Sequence, residues 1–224
     1  MSTTTRFWIA LGDIHDRIDA LERIANMDQA EAVLLSGDLT NIGQRNDALR
    51  VLDAFKNKTK KIYAQIGNMD TVAVDRTLTE QGINIHGQVV DLGGGVGLAA
   101  VGYSSPTPFG TPSEVSEEQL CQWTHDVLEK ANSFARVILM IHNPPQGETV
   151  DRLQSGAHVG SPGVRNLIER YQPDIVITGH IHEAAGQEYI GRSLVLNPGS
   201  FMDGGYVRIE DTAQGLRATL ESVA

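Results

Sequence analysis

The sequence predicts an α/β domain built on parallel strands. Five short runs of aliphatic and β-branched residues each end at a glycine or a polar residue, which is typical of strands buried on both faces. Longer amphipathic stretches, with apolar residues three and four positions apart, lie between these runs. Strands and helices that alternate in this order favour parallel strands joined by right-handed crossovers. With 224 residues, 41% of them hydrophobic, the chain is long enough for one sizeable core.

The predicted elements follow in chain order. Strands are expected over residues 6–13, 32–38, 61–68, 136–143 and 174–180. Helices are expected over residues 17–27, 44–55, 71–81, 116–132 and 164–171. Residues 84–103 and 186–220 are rich in glycine and turn signals, and they predict hairpins in a second, more antiparallel sheet region.

The composition limits which partners we expect the protein to bind and which kinds of metal site it can form. The 18 Lys and Arg against 28 Asp and Glu give a net charge of −10, which disfavours duplex nucleic acid as a partner. Cys121 is the single cysteine, so the sequence offers no intrachain disulfide and no cysteine-based metal site. The five apolar residues 7–11 are too few for a signal-peptide core or a membrane span, so we expect a cytoplasmic protein without a membrane partner. No linker or repeat divides the chain, and a single domain over residues 1–224 is expected.

Each predicted strand ends in a side chain that can bind a metal ion. These side chains are Asp13 and His15 after the first strand, Asp38 after the second, Asn68 after the third, His142 after the fourth, and His180 and His182 after the fifth. Ligands of open parallel sheets bind outside the carboxyl ends of the strands, so we expect these residues to converge at one edge. Taken singly, the two aspartates also fit helix caps, the asparagine a turn and His142 an ordinary loop histidine. Their common position at five strand ends, with the rare pattern Gly-His-x-His, favours a metal site.

The donor set predicts which ions this site would bind. Two carboxylates, four imidazoles and one amide suit divalent or trivalent Mn, Fe, Zn or Co, with Mn favoured. These donors are too many for one tetrahedral ion, whereas two ions about 3.5–4 Å apart that share one carboxylate would use them all. Two divalent ions against Asp13 and Asp38 leave a positive site that would attract a small-molecule phosphate ester. A bridging water whose pKa is lowered to about 7 would supply the nucleophile.

Two segments without periodicity are expected to be loops. Residues 107–114 are rich in proline, and residues 143–161 form a long irregular stretch. Loops of that length inside a domain are usually functional. His158 lies in the longer segment. It is a candidate contact with the substrate, and an ordinary structural role is the alternative.

Five motifs, in this order along the chain, resemble those of the calcineurin-like metallophosphoesterases. They are Gly12-Asp13-x-His15, Gly37-Asp38, Gly67-Asn68, His142 and Gly179-His180-x-His182. Residues 158–161 (HVGS) and 197–200 (NPGS) add a likeness to the small bacterial and archaeal members. The resemblance implies a four-layer αββα sandwich with mixed sheets. It also implies that Asp13, His15 and His182 bind one metal ion, that Asn68, His142 and His180 bind a second, and that Asp38 bridges both.

One position departs from the family pattern. The third motif usually reads Gly-Asn-His followed by Asp or Glu, and its histidine contacts the phosphate and helps to protonate the leaving group. Here Met69 stands in that place, between Asn68 and Asp70. A thioether cannot donate a proton, and losing a positioned acid costs about 10²–10⁴-fold in rate. His158 or a metal-bound water is a candidate substitute, and Asp70 is interpreted as a cap of the next helix.

These observations together predict a phosphoesterase that depends on a dinuclear metal centre. It would hydrolyse phosphodiesters or small phosphorylated metabolites through a metal-bound hydroxide, with Asp38, Asn68, His142 and His158 as the candidate catalytic residues. Residues 39–41 (LTN) stand where protein serine/threonine phosphatases have Asp-Arg-Gly, which disfavours protein substrates. Two alternatives stay open. The first, which Met69 favours, is a weak or inactive scaffold or binding module on the same fold, like the metallophosphoesterase-like subunit of retromer. The second is a metal-free nucleotide binder.

Overall fold

Two mixed β-sheets face each other in the computed structural model, which describes residues 5–223. The strands in chain order are β1 (Arg6–Leu11), β2 (Ala32–Leu35), β3 (Ile62–Ala64), β4 (Val89–Gly93), β5 (Val96–Val101), β6 (Arg136–Ile141), β7 (Ile175–Ile177), β8 (Gly186–Ile190), β9 (Ser193–Asn197), β10 (Gly205–Thr212) and β11 (Gly215–Ser222). The first sheet has the order β11-β10-β1-β2-β3, and the second has the order β4-β5-β6-β7-β9-β8. Within them, β1, β2 and β3 run parallel, and so do β5, β6, β7 and β9.

Over residues 5–223, four α-helices lie on the outer faces of the sheets. They are α1 (Arg45–Lys56), α2 (Val72–Glu80), α3 (Glu117–Ala131) and α4 (Pro162–Tyr171). The start of α1 is fixed by a capping box between Gln44 and Asp47, while Ser116 and Ser161 accept hydrogen bonds from the first turns of α3 and α4. Over residues 5–223, none of the helices combines the length and the apolar character needed to cross a membrane.

Three apolar cores hold the layers together. Helices α1 and α2 pack on the outer face of the first sheet, where Phe55 and Leu78 join the cluster around Ile9. Between the sheets, Trp8 of the first packs in one cluster with Met140 of the second. Helices α3 and α4 cover the outer face of the second sheet. The order helix, sheet, sheet, helix confirms the four-layer sandwich and the predicted α/β class.

The continuous apolar runs arise because both faces of the central strands are covered. Along β1, Phe7, Ile9 and Leu11 belong to the outer core, whereas Trp8 and Ala10 belong to the core between the sheets. The register pairs the last residue of β1 with Leu35 of β2, which in turn pairs with the last residue of β3. The carboxyl ends of these strands are therefore level, and the residues that follow them start side by side.

The expectation of a helix over residues 17–27 is wrong. This segment forms two short 3-10 turns, Asp19–Arg23 and Met27–Gln29. Asn26 between them has a φ of 58°, which is left-handed and stops a regular helix. The apolar spacing has another cause, because Ala20, Leu21 and neighbouring residues are buried in the outer core without helical geometry.

The predicted hairpins are present, but they do not form one antiparallel region, because they are divided between the two mixed sheets. The hairpins β4-β5 and β8-β9 extend the second sheet, and the hairpin β10-β11 extends the first. The five predicted parallel strands are likewise divided, with β1, β2 and β3 in one sheet and β6 and β7 in the other. Strand periodicity reports burial on both faces, and it does not report which sheet a strand joins.

Candidate metal centre

The seven side chains predicted as metal ligands lie together, and they come from both sheets. The first sheet supplies Asp13, His15, Asp38 and Asn68 from the ends of β1, β2 and β3, and the second supplies His142, His180 and His182 from the ends of β6 and β7. Donor atoms of Asp13, His15 and His182 lie within 4.8 Å of one another, as do those of Asp13, Asp38 and His142. The edge at which the donors meet is therefore formed by two sheets and not by one.

Unusual backbone conformations aim several of these side chains. The φ angles are 51° at Asp13, 45° at His15, 50° at Asp38 and 68° at His180. Left-handed conformations are costly for residues other than glycine, and they cluster at functional sites. The glycine that precedes Asn68 has a steric cause, since a Cβ at Gly67 would overlap the carboxylate of Asp38. Crowding between neighbouring loops thus explains why a glycine precedes the donor in this motif.

The first donor group consists of Asp13, His15 and His182. Nε2 of His182 lies 3.1 Å from Oδ1 of Asp13 and 3.1 Å from Nε2 of His15. The backbone N–H of His180 donates to both Asp13 oxygens, at 3.0 and 3.2 Å, and fixes the fully buried carboxylate. This group therefore presents two ring nitrogens and one oriented carboxylate oxygen to a common point.

The second donor group consists of Asn68, His142 and His180. Oδ1 of Asn68 lies 3.0 Å from Nε2 of His142 and 2.7 Å from Nδ1 of His180. Nδ1 of His142 lies 3.1 Å from the carbonyl oxygen of Ser36, which can only accept a hydrogen bond. That contact places a proton on Nδ1 and orients Nε2 toward the group, as metal-binding histidines require.

Asp38 stands between the two donor groups. Its Oδ2 lies 3.5 Å from Nε2 of His142 and 3.8 Å from Nε2 of His15. Its Oδ1 accepts a hydrogen bond of 2.7 Å from the backbone N–H of Met69, which fixes the carboxylate plane. Burial opposes ionisation, but His142 and His15 outweigh it and hold the pKa of Asp38 below its usual range. An ionised carboxylate therefore faces both groups.

Two of the four candidate histidine ligands are biased to the form that binds a metal ion. Burial lowers the pKa of His15, and burial together with His142 lowers the pKa of His180 to about 4. Both rings are therefore biased to the neutral form, which is the form that binds a metal ion. Burial also disfavours the charged form of His142, yet Asp38 and Asp13 prevail and raise its pKa to about 9. Buried carboxylates that hold a proton on this ring mark a place suited to a cation.

Asp70 plays a part that the sequence analysis missed. It does not cap α2, whose N-cap is Thr71 without a side-chain hydrogen bond. Its fully buried carboxylate accepts hydrogen bonds from the backbone N–H groups of Leu39 (3.0 Å), Thr40 (2.8 Å) and Gly67 (3.1 Å), and from the Thr40 hydroxyl (2.9 Å). Asp70 thus clasps the loop that carries Asp38 to the loop that carries the asparagine donor. Burial and the charge of Asp38 raise the pKa of Asp70 to about 7.

A second element missed from the sequence orients Asn68. Nδ2 of Asn68 donates to Oγ1 of Thr111 at 3.0 Å, and that hydroxyl donates to Oε1 of Glu114 at 2.6 Å. Since the amide nitrogen is engaged in this way, Oδ1 must face His142 and His180. Burial opposes ionisation of Glu114, but hydrogen bonds from Thr107 and Thr111 lower its pKa to about 2 and keep it an acceptor. The proline-rich loop therefore supports the second donor group.

The Thr111→Val substitution is expected to weaken metal binding by about 10–100-fold, the usual cost of losing a partner of a metal ligand. Valine keeps the shape of threonine but removes the hydroxyl that fixes the Asn68 amide. Thr107→Val is the matched control, because Thr107 also donates to Glu114 at 2.6 Å but has no contact with the asparagine. Titration of the metal-free protein with Mn²⁺ measures both. Equal affinities for Thr111→Val and the unchanged protein would contradict this role.

His158 lies beside the centre and stays a prediction as a substrate contact. Its Nδ1 is 2.8 Å from Oδ1 of the fully buried Asp151, whose other oxygen accepts from the Gly160 N–H at 2.9 Å. Within residues 5–223, the cleft above the donor groups is lined by Leu153 and Val159 of this loop but not by His158. A buried carboxylate therefore orients the ring, and the ring is not among the described side chains that line the cleft.

Comparison with known proteins agrees with this geometry. A family model described as calcineurin-like phosphoesterase matches residues 9–184. An uncharacterized protein of Methanocaldococcus jannaschii is 28% identical over 194 residues, which are 85% of this chain and 86% of that protein.

Solved structures share the fold at low identity. TT1561 of Thermus thermophilus superposes with a TM-score of 0.73 at 20% identity, covering 99% of this chain and 100% of that one. A dimetal phosphatase from Danio rerio superposes with a TM-score of 0.61 at 12% identity, covering 98% and 99%. The family model spans all of the strand ends that carry the donor residues. The chain belongs to the calcineurin-like phosphoesterase family.

Proposed function

We propose that this protein is a phosphoesterase that uses two metal ions, with Mn favoured, to hydrolyse phosphodiesters or small phosphorylated metabolites. One observation carries the proposal: Asp38 lies close to His15 of one donor group and to His142 of the other, and five of the seven donors line a single cleft. The family assignment supports it, and the Danio rerio protein of the same fold is a dimetal phosphatase.

The donor set fits two ions better than one. Asn68, His142 and His180 form one group, Asp13, His15 and His182 form the other, and the carboxylate of Asp38 faces both. When bound, such ions would neutralise the charge of a phosphate ester and activate water. The chain itself holds the geometry, because the Ser36 carbonyl, the Thr111 hydroxyl and the backbone N–H groups of Met69 and His180 orient the donors before any ligand arrives.

The charge of the cleft supports a small phosphate ester as the partner. No lysine or arginine is among the cleft-lining residues in the described part of the chain. Attraction for the phosphate would come from the ions, and an overall charge of −10 would keep duplex nucleic acid away. Protein phosphatase activity stays disfavoured by the sequence that follows Asp38.

Hydrolysis assays test this proposal directly. Bis-p-nitrophenyl phosphate and p-nitrophenyl phosphate are offered to protein loaded with Mn²⁺, Fe²⁺, Zn²⁺, Co²⁺ or Ni²⁺, with His142→Ala as the inactive control. We expect metal-dependent release of p-nitrophenolate, faster from the diester than from the monoester. Rates no higher than those of the control with every metal would refute the proposal.

The alternative of a scaffold receives less support from the surface. A scaffold should expose a contiguous apolar patch of several hundred Å² that is rimmed by polar residues. Outside the cleft, the exposed large hydrophobic residues in the described part of the chain are Val72, Tyr189 and Met202, which belong to α2, β8 and a 3-10 turn. The other three exposed residues of this kind line the cleft itself. This distribution favours a protein that binds a ligand over its metal centre.

The Met69→His substitution is expected to raise turnover of esters with poor leaving groups by at least tenfold, a conservative share of the ~10²–10⁴-fold that a positioned acid contributes. Met69 lines the cleft, and its side chain cannot donate a proton. Esters of p-nitrophenol need little protonation and should change much less. Phenyl and p-nitrophenyl diesters compared in the two proteins measure the difference.

Met69→Leu is the matched control for this substitution, since leucine fills similar space without an ionisable group. It should leave both rates within a factor of about two, because volume-conserving apolar changes are tolerated best. If Met69→His leaves the phenyl ester unchanged, another group already supplies the proton, and His158 is then the residue to replace next.

A further inference from the structure

The cleft over the candidate metal centre has an unusual lining. It has a volume of about 1040 Å³, and beyond the donor residues its walls are largely apolar. We call the apolar wall the set of six side chains Ile42, Met69, Pro108, Phe109, Leu153 and Val159, all of which line it. Three of them are large hydrophobic residues left exposed to solvent, with Phe109 exposed by 87% and Ile42 by 54%. Exposed apolar residues gathered in one concave site are typical of ligand contact.

The backbone at Phe109 is fixed. It belongs to a loop in which Glu114 accepts hydrogen bonds from the Thr107 hydroxyl at 2.6 Å and from the Thr111 N–H at 2.7 Å. The Phe109 N–H itself donates to the Thr107 hydroxyl at 3.2 Å. These bonds close the loop on itself at the place where Phe109 lines the cleft. A loop backbone that is already ordered loses little entropy when a ligand packs on the side chain that it carries.

The position of Ile42 is fixed as well, and at a cost. Its φ is 55°, which is a strained conformation for a β-branched residue. The backbone N–H of Ile42 donates to the carbonyl of Met69 at 3.1 Å, which ties this strained residue to the loop of the candidate metal centre. Strain of this kind persists where the surrounding structure enforces it, and it concentrates at ligand sites.

Charge narrows the class of ligand. Apart from the donor residues, Glu183 is the charged side chain among the described residues that line the cleft, and it is acidic. A ligand that carried several phosphates would place negative charge beside Glu183 without a cationic side chain to balance it. A phosphodiester carries a single negative charge, which would lie at the donor groups, and leaves its two ester groups free to contact the walls.

We propose that the apolar wall binds an uncharged aromatic ester group, so that the substrates are phosphodiesters bearing such a group and not polyphosphates. This inference rests on the proposed function, because the phosphate must lie at the donor groups for its ester group to reach Phe109. An aromatic ring packed on the apolar wall would gain apolar burial and, at Phe109, a ring contact.

Binding of two inert phosphinates tests the proposal without turnover. Methyl(phenyl)phosphinate and dimethylphosphinate each carry a single negative charge, as a phosphodiester does, and differ in one apolar group, and their carbon–phosphorus bonds resist hydrolysis. Calorimetric titration of the Mn²⁺-loaded protein should give at least about tenfold tighter binding of methyl(phenyl)phosphinate, the value expected for partial burial of one ring. In Phe109→Ala this preference should fall to about twofold, while the affinity for dimethylphosphinate should stay the same.

Tyr189→Ala is the matched control, since Tyr189 is an aromatic residue exposed by 67% that lies on β8, outside the cleft. It should keep the full preference. Equal affinities for the two phosphinates in the unchanged protein, no binding of either, or a preference that survives Phe109→Ala would each overturn the proposal. A clear preference in a protein that hydrolyses no ester would refute the proposed function while leaving the aromatic site standing.

Discussion

Replacing Asp38 with alanine is expected to abolish metal-dependent hydrolysis and to reduce metal binding more than any other single change in the centre. Its carboxylate is the group that faces both donor groups, with Oδ2 3.5 Å from His142 and 3.8 Å from His15. Loss of a partner outside the ligands costs about 10–100-fold, so loss of a shared ligand should exceed about 100-fold in kcat/KM. Elemental analysis of the purified variant should find fewer than two ions per chain.

Asp38→Asn separates charge from shape in the same experiment. The amide keeps the size of the side chain, but it removes the negative charge that would be shared between two cations. We expect a loss of activity close to that of the alanine variant with a smaller loss of stability. Full metal content together with full activity in Asp38→Asn would contradict a bridging role for this carboxylate.

Replacing Asp70 with alanine is expected to lower the free energy of unfolding by about 3 kcal/mol, since each buried donor left without a partner costs roughly 1–3 kcal/mol and water can replace some of them. The four hydrogen bonds that this carboxylate accepts join the loops after β2 and β3. The same change should weaken metal binding, because the loops that carry Asp38 and Asn68 lose their common anchor. Urea denaturation of the metal-free protein measures the first effect and Mn²⁺ titration the second.

Asp174→Ala provides the matched control for stability. This aspartate is exposed, and its side chain accepts one backbone hydrogen bond, of 2.7 Å, from Val137. Its loss should cost no more than about 1 kcal/mol, in the range of a single exposed hydrogen bond. An Asp70→Ala variant no less stable than Asp174→Ala would show that the clasp between the two loops is not needed.

The strand ends could be predicted from the sequence because they combine two strong signals. Apolar runs indicate strands that are covered on both faces. Polar donors that follow these runs at the same end indicate a functional site, since a buried carboxylate such as Asp13 is costly without partners. Turn signals indicated a second sheet region and the family resemblance implied two mixed sheets, but periodicity alone could not assign the parallel strands to them. A single open sheet is the simplest arrangement of parallel strands, and nothing in the apolar runs indicates that β6 and β7 belong to a different sheet from β1.

The supporting residues could not be predicted, and the reasons are physical. Thr111 reaches Asn68 across 43 residues of chain, and a threonine in a proline-rich loop has no periodicity to reveal it. Asp70 carried a misleading local signal, because an aspartate just before a helix usually caps it. The segment around Asn26 has helical apolar spacing, but one left-handed residue prevents the helix. Local patterns therefore located the donors, whereas the contacts that hold them depend on the folded chain.

Because the donors come from both sheets, bound metal ions would also stabilise the packing of one sheet on the other. The first donor group takes two side chains from the sheet of β1 and one from the sheet of β7. The second donor group takes one side chain from the sheet of β1 and two from the sheet of β7. Each ion would therefore act as a cross-link over the seam between the two halves of the sandwich. Binding of an ion would then stabilise the folded protein against unfolding, by about 2.7 kcal/mol at an ion concentration 100 times the dissociation constant. Removal of the metal would therefore destabilise the folded protein as well as stop the proposed hydrolysis.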